Sequence, residues 1–480
     1  MQEIVNGLPN IFFTAQDAQK LAPSAKPCYA PVSRNQFDLI RSSFGFALHM
    51  HQPTIPAGGY NLADAALVSN LQNMMENQNI GDNHNAPVFM NCYTRMADFV
   101  PALVARGKNP RGMLDYSGNL FWGLRQMEGG RVIENLKRIT LDPQFQPCVE
   151  WTGTMWSHAV ATSTPVPDIP LHILAWRKHF AAIFGEDAVK RVKGFSPPEM
   201  HLPIHPDVCY AYIKALKEAG YQWLMVQEHS VENLDGAGIR RPHYPHRLIA
   251  RNSLGETVEI IAIVKTQGSD TKLVAQMQPY YEAKSRDRED YAGKKIPPFV
   301  FQIGDGENGG VMMNEFPPMF HQVFEEIGTQ GTVGMNASEY LEFLQAAGVR
   351  AEAFLPIQPI SQHRIWKMIE GKYTAGAADK AIDQIKAKDN SFNLDKGSWT
   401  SDRNWVKGYE DVLDPINNLS ACFHKKFDTR KLDPDNSAYQ QSLLYLLLSQ
   451  TSCFRYWGSG VWTDYAKELC RRGMEAVKRA

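Results

Sequence analysis

Residues 44–53 read Phe44-Gly45-Phe46-Ala47-Leu48-His49-Met50-His51-Gln52-Pro53. The apolar run 44–50 suits a buried strand, and the polar cluster after it ends that strand, because proline cannot continue a β ladder. His49 and His51 stand two apart, so on extended backbone both imidazoles point to one side. A strand of this kind leaves polar groups at its C-terminal end, where folds built of parallel strands keep their chemistry.

Outward from this stretch the pattern alternates. Helical periodicity is expected at 62–76, 93–105 and 119–127, then a strand at 148–152, a helix at 171–184 and a short strand at 192–195. Asp207 suits the N-cap of a helix that ends near Gly220, and apolar strands fit 222–227, 258–264 and 299–303. Such alternation predicts an α/β fold with a parallel sheet and helices outside it, of a length that suits a barrel or near-barrel. Beyond 350 the strand signal disappears, and helices are expected at 377–388, 405–424, 437–454 and 463–478. The expected organisation is a lead-in over 1–37 lying on the surface, a catalytic α/β domain over 38–350 and a C-terminal α-helical domain over 351–480.

With 480 residues, 44% of them hydrophobic, the chain has core enough for a large domain and a smaller one. Lys and Arg number 50 against 51 Asp and Glu, without long runs of one sign, so neither nucleic acid nor an anionic membrane is an expected partner. Seven cysteines are scattered without a CxxC pair, which suits buried thiols in a reducing compartment. Residues 1–20 lack the basic start and apolar centre of a secretory signal, and the longest apolar stretch, 442–454, is short of the roughly 20 residues a membrane helix needs. A soluble, cytoplasmic protein is expected.

Four segments carry candidate chemistry. The first is His49-Met50-His51-Gln52-Pro53, whose imidazoles suit hydrogen bonds to sugar hydroxyls, metal ligation, or bonds to neighbouring backbone. The second is Val149-Glu150-Trp151-Thr152-Gly153, followed by His158. A carboxylate between apolar strand residues is costly to bury unless something binds it, either a sugar hydroxyl or a structural cation. Third, Gly194-Phe195-Ser196-Pro197-Pro198-Glu199-Met200 makes a rigid turn beyond a strand. There Glu199 is either an exposed loop residue or a preorganised nucleophile. The fourth, Phe301-Gln302-Ile303-Gly304-Asp305-Gly306-Glu307-Asn308-Gly309-Gly310, runs from an apolar strand into glycines with Asp305 at the strand end. It lacks the ligand alternation of an EF-hand and the Gly-Lys-Ser/Thr of a phosphate loop.

Taken in order, these segments resemble glycoside hydrolase family 57, the retaining α-glucan-active enzymes that include α-amylases, 4-α-glucanotransferases and glycogen branching enzymes. The likeness runs from about Phe44 to the C-terminus and includes Ser117-Gly118-Asn119-Leu120, Gly397-Ser398-Trp399 and Ser449-Gln450-Thr451-Ser452 leading to Trp457. The resemblance implies an incomplete (β/α)7 TIM-like barrel followed by a helical domain. It implies Glu199 as nucleophile and Asp305 as acid/base, with His51, Gln52, Glu150 and His158 on the central sugar beside His49, and neither cofactor nor metal. Trp399, Trp405, Trp457 and Trp462 are candidate acceptor-side platforms. The chain also departs from the family: Gly309 and Ser196 occupy places where members commonly have an aromatic residue, and Cys453 stands where many have an acid.

Retention at an anomeric carbon needs two carboxyl groups about 5–5.5 Å apart, one to attack C1 and one to protonate the leaving oxygen. The expectation is therefore that Glu199 and Asp305 meet in one pocket and that burial and the Glu199 charge raise the Asp305 pKa. Water as acceptor gives hydrolysis, the favoured α-amylase reading, while a sugar gives transfer or branching. Two other classes remain open on the residues: a zinc-dependent hydrolase or deacetylase with His49, His51 and Asp305 as ligands, and a non-catalytic glucan-binding protein.

Overall fold

The computed structural model describes residues 1–57, 61–268, 272–307, 313–395, 405–428 and 436–480. Its centre is a mixed sheet of eleven strands among the described residues. A parallel run comprises, in chain order, β1 (Ile40–Met50), β2 (Gly112–Tyr116), β3 (Val149–Trp151), β4 (Gly194–Phe195), β5 (Trp223–Gln227), β6 (Thr257–Lys265) and β7 (Phe299–Asp305). Neighbours in the run are β3, β2, β1, β7, β6, β5 and β4. A parallel bridge between Gly153 and Phe195 sets the ends of this run side by side. Helices such as Ala86–Ala105, Ile169–Phe184 and Pro206–Glu218 connect the strands.

The period of two along β1 sorts its side chains. Phe44, Phe46, Leu48 and Met50 join the apolar cluster that holds Phe316 and Phe320 of the helix Phe316–Glu326. Ala47 belongs to a second cluster with Met113, Met225, Ile263, Phe301 and Ile303. Burying a side chain of the Leu or Phe kind contributes about 1.5–3 kcal/mol, so both faces of β1 are strongly specified. His49, Asp115 and Asp305 share the parity of the second set. The register aligns Asp115 with His49 and His49 with Asp305 across β2, β1 and β7. Three polar side chains thus arrive at one level, at the C-terminal ends of adjacent parallel strands.

Several elements differ from the sequence reading. Residues 62–76 are not one helix: Ala66–Ser69 is a strand paired with Thr54–Ala57, and Asn70–Glu76 is the helical part. Asp207 is not the N-cap. His205 Nδ1 accepts the Asp207 N–H at 3.2 Å, and the Asp207 carboxylate accepts the N–H of Ser253 at 2.7 Å. The sheet also continues past residue 350, where Pro356–Pro359 pairs with His246–Arg251 and Val231–Asn233. Prolines at both ends mask that strand, and sheets tolerate them at strand ends and edges. The first 37 residues do more than cover the surface. Ile11, Phe12 and Leu21 are buried in the main cluster, and the N–H groups of Cys28, Tyr29 and Ala30 donate to Glu342.

After Pro359 the regular structure of the described residues is helical, including Ala375–Lys388, Glu410–Phe427, Ser437–Ser449 and Val461–Arg479, the last three packed together. The seven cysteines are unbridged. No helix among the described residues is long and apolar enough to cross a membrane.

Candidate active site

A cleft of about 120 Å³ opens over the ends of β1, β2 and β7. His49, His51, Asp115, His158, Glu199, Asp305 and Glu307 line it, and Cys453, Tyr456 and Trp457 close it from the helical part. The strand register brings Asp115, His49 and Asp305 here; turns bring the others. Glu199 sits in the short turn Pro198–Met200 at φ 58°, with Met200 at 49° and His158 at 62°. Non-glycine residues in this left-handed region cost on the order of 1–3 kcal/mol each, and such strain collects where geometry serves function.

Three imidazoles stack along one wall. His158 lies between His49 and His51, with ring centroids 4.6 Å and 4.3 Å away. His49 Nδ1–H donates to Asp115 Oδ2 at 2.8 Å, His51 Nδ1 is 2.7 Å from Ser117 Oγ, and His158 Nδ1 is 2.7 Å from Ser452 Oγ. Burial works against charge on all three rings. It wins at His51, which His49 pushes lower still, and at His158, which both His51 and His49 push lower. At His49 the Asp115 carboxylate, aided by Asp305 and Glu307, overcomes it and raises the pKa to about 9. The wall therefore carries one cation and two neutral rings at neutral pH. The Nε2 atoms of His51 and His158 are buried without a hydrogen-bond partner among the described residues. Buried polar atoms are ordinarily satisfied, so these two suit the hydroxyls of a bound ligand.

The carboxyl groups stand beside these rings. Glu199 Oε1 lies 4.0 Å from His158 Nδ1. Desolvation by the cleft walls raises the Asp305 pKa, the His49 cation opposes the rise and Asp115 adds to it. The neighbouring anion acting on Asp305 is thus Asp115, where the sequence reading looked to Glu199. Glu307 is pushed up to about 8, chiefly by desolvation, and accepts hydrogen bonds from the His51 N–H and, at 3.3 Å, from Gln52 Nε2. Burial, reinforced by Glu199, keeps the Cys453 thiol protonated.

Not every expected residue reaches the cleft. Gln52 lies behind it, joining Glu307 to Asn70 Nδ2 at 2.9 Å. Glu150 does not line it. The register pairs Glu150 with Met113, one pleat below Asp115, and there its carboxylate accepts the Ser338 N–H at 3.0 Å and the Ser338 hydroxyl. Burial at 0% exposure pushes its pKa up to about 8. Trp405 is buried, and Trp462 stands edge-on behind Trp457 at 4.5 Å. Trp457 itself is 41% exposed at the cleft. Trp399 and Gly309 lie outside the described residues.

Two residues of the cleft were not legible as such in the sequence: Asp115, whose short strand has no period of its own, and Glu307, whose role depends on its neighbours. The signal for Asp115 was an acid closing the short run Gly112-Met113-Leu114 just before the helix-starting Ser117-Gly118-Asn119. No group of three or more His, Cys, Asp or Glu among the described residues is placed to hold a metal ion.

A family model described as glycosyl hydrolase family 57 matches residues 45–258. Among solved structures, the chain is similar to the 4-alpha-glucanotransferase of Thermococcus litoralis, with a TM-score of 0.50 and 16% identity over 91% of this chain. It spans 57% of the length of that protein. It is also similar to the alpha-amylase AmyC of Thermotoga maritima, with a TM-score of 0.50 and 13% identity over 92% of each chain. At these identities the likeness is one of fold. No curated protein matches the chain.

Proposed function

We propose that the chain is a retaining enzyme acting on α-1,4-glucans such as starch, glycogen or maltooligosaccharides, a reading supported by the glycosyl hydrolase family 57 model that matches residues 45–258. The observation that carries the reading is that Glu199 and Asp305, from different strand ends, line one cleft. We read the parallel run β1 to β7, with its Gly153–Phe195 bridge, as an incomplete (β/α)7 barrel, and the helices from residue 351 as a domain that helps close the cleft.

In the first step the Glu199 carboxylate attacks C1 while Asp305 gives its proton to the departing glycosidic oxygen, leaving a glycosyl ester. In the second step ionised Asp305 takes a proton from the acceptor, whose oxygen displaces Glu199 and restores the α configuration. The two bare imidazole nitrogens of His51 and His158 hydrogen-bond the hydroxyls of the central glucose. Trp457, which lines the cleft, is the platform we assign to the next sugar.

Hydrolysis of the α-amylase type is our favoured outcome. Of the described tryptophans considered for the acceptor side, Trp457 lines the cleft, and how firmly that side holds a sugar against water decides between hydrolysis and transfer. The alternatives are glucan transfer and branching. The two solved structures of similar fold named above are a 4-alpha-glucanotransferase and an alpha-amylase. Seven unbridged cysteines favour a reducing compartment.

Incubation with maltoheptaose and with starch, followed by separation of products by length and branching, tests the proposal. Shorter sugars alone are expected. Longer products would assign transfer, new 1,6 links branching, and no turnover of any α-glucan would end the reading. Glu199→Gln should lower kcat by roughly 10³-fold or more while binding of maltoheptaose persists.

A further inference from the structure

Asp115 is 1% exposed, and its two oxygens are treated unequally. Oδ2 accepts the Nδ1–H of His49 at 2.8 Å and the hydroxyl of Ser196 at 2.7 Å, while Oδ1 is buried without a hydrogen-bond partner among the described residues. A carboxylate so enclosed is costly unless an opposite charge matches it. The register puts His49 between Asp115 on β2 and Asp305 on β7. We propose that Asp115 is a positioning residue for the acid/base step, holding His49 as a fixed imidazolium beside Asp305 by binding its Nδ1–H and leaving its Nε2–H to the cleft. The catalytic half of this inference rests on the glycosidase reading; the held imidazolium does not.

The chemistry needs such a cation. Asp305 must be protonated to release the leaving group and ionised to activate the acceptor, and a desolvating cleft favours only the first form. A permanent positive charge alongside supports the second. The titratable groups around His49 are Asp115 on β2, Asp305 and Glu307 at the end of β7, His51 on its own chain and His158 stacked on its face. Glu199 lies beyond His158. Among the described residues, Asp115 is the carboxylate hydrogen-bonded to the ring. Asp115 is the largest of the charges that hold the His49 proton against burial, ahead of Asp305 and Glu307, and His51 and His158, which have no such partner, are driven neutral.

Asp115→Asn keeps an acceptor oxygen in place and removes the charge, so it separates the electrostatic role from the packing. In protein labelled with ¹⁵N at histidine, with His49→Gln to assign the resonance, wild-type His49 should titrate near about 9. In Asp115→Asn it should titrate at least roughly two pH units lower. On maltoheptaose, kcat of the variant should fall roughly 10- to 100-fold with KM within about twofold. The optimum should move to higher pH, because at Asp305 the lost cation outweighs the lost anion. A purely structural role would lower the melting temperature and leave the pH profile in place.

Wild-type His49 titrating near the ordinary value of about 6.5, or an Asp115→Asn enzyme with unchanged kcat and pH profile, would overturn the proposal. Should Asp115→Asn fail to fold by circular dichroism, the wild-type titration decides alone. Wild-type protein in which His49 titrates near about 9, yet which turns over no α-glucan, would remove the glycosidase reading and the catalytic half with it, while the held imidazolium stands.

Discussion

Glu307 illustrates how the cleft selects the form of an acid. Desolvation pushes its pKa up to about 8, so at neutral pH it is mostly the uncharged acid, held by the His51 N–H and by Gln52. An amide of the same shape can accept the same N–H. Glu307→Gln should therefore keep kcat/KM on maltoheptaose within about tenfold of wild type, whereas Glu307→Ala, which leaves the His51 N–H without its acceptor, should lose roughly 100-fold or more. Equal losses in the two variants would show that the charge, not the shape, matters. Residues of this kind were half legible in the sequence. The Asp-Gly-Glu run announced a strand end with acids, but which acid is ionised depends on neighbours from β1 and β2 that lie about 190 to 260 positions away. Glu150 shows the complementary failure. Its alternation on β3 put it on the inner face, yet only the inter-strand register says that it lies one pleat too deep to touch a ligand.

At the level of elements, β1 organises the site, because its neighbours β2 and β7 deliver Asp115 and Asp305 to His49. Gly45, on the inner face of β1, lets Phe299 and the Met335 carbonyl approach closely. A Cβ there would lie 2.4 Å from the Phe299 ring and 2.9 Å from that oxygen. Gly45→Ala should destabilise by about 1–3 kcal/mol through overpacking, seen as a lower denaturant midpoint with an unchanged slope. A midpoint equal to wild type would mean that β1 and β7 can part without cost. This strand was legible because the apolar run Phe44–Leu48 leads into a proline-stopped polar cluster. β2 was not, because five residues carrying an acid have no recognisable period by themselves and become a strand by pairing with β1 and β3. The hairpin Thr54–Ala57 with Ala66–Ser69 was hidden for a related reason: Leu67 and Val68 fit a helical stripe until the pairing partner is known.

Across the whole molecule, buried titratable groups set how stability follows pH. His51 and His158 are held neutral by burial, as are His172 at about 4 and His179 and His201 at about 3. Each takes up its proton more readily in the unfolded chain, so stability that is whole above about 6.5 is lost as the pH falls toward these lower values. On the other side, His49 at about 9 and Glu150 and Glu307 at about 8 bind protons more tightly in the folded chain. The two carboxyls lose their advantage as the pH rises from about 4.5 to 8, and His49 loses its own between about 6.5 and 9. The acid-side set is the larger, and below about 6.5 it opposes the two carboxyls, so the balance places the stability maximum near neutrality. Melting temperature should therefore fall by several degrees on either side, at pH 5 and at pH 9. Asp115→Asn offers the sharper form of the test. By making His49 neutral it should remove that residue's share of the alkaline loss, leaving a shallower decline between about pH 6.5 and 9 than in wild type. Parallel alkaline limbs in the two proteins would mean that His49 carries no extra proton in the folded chain.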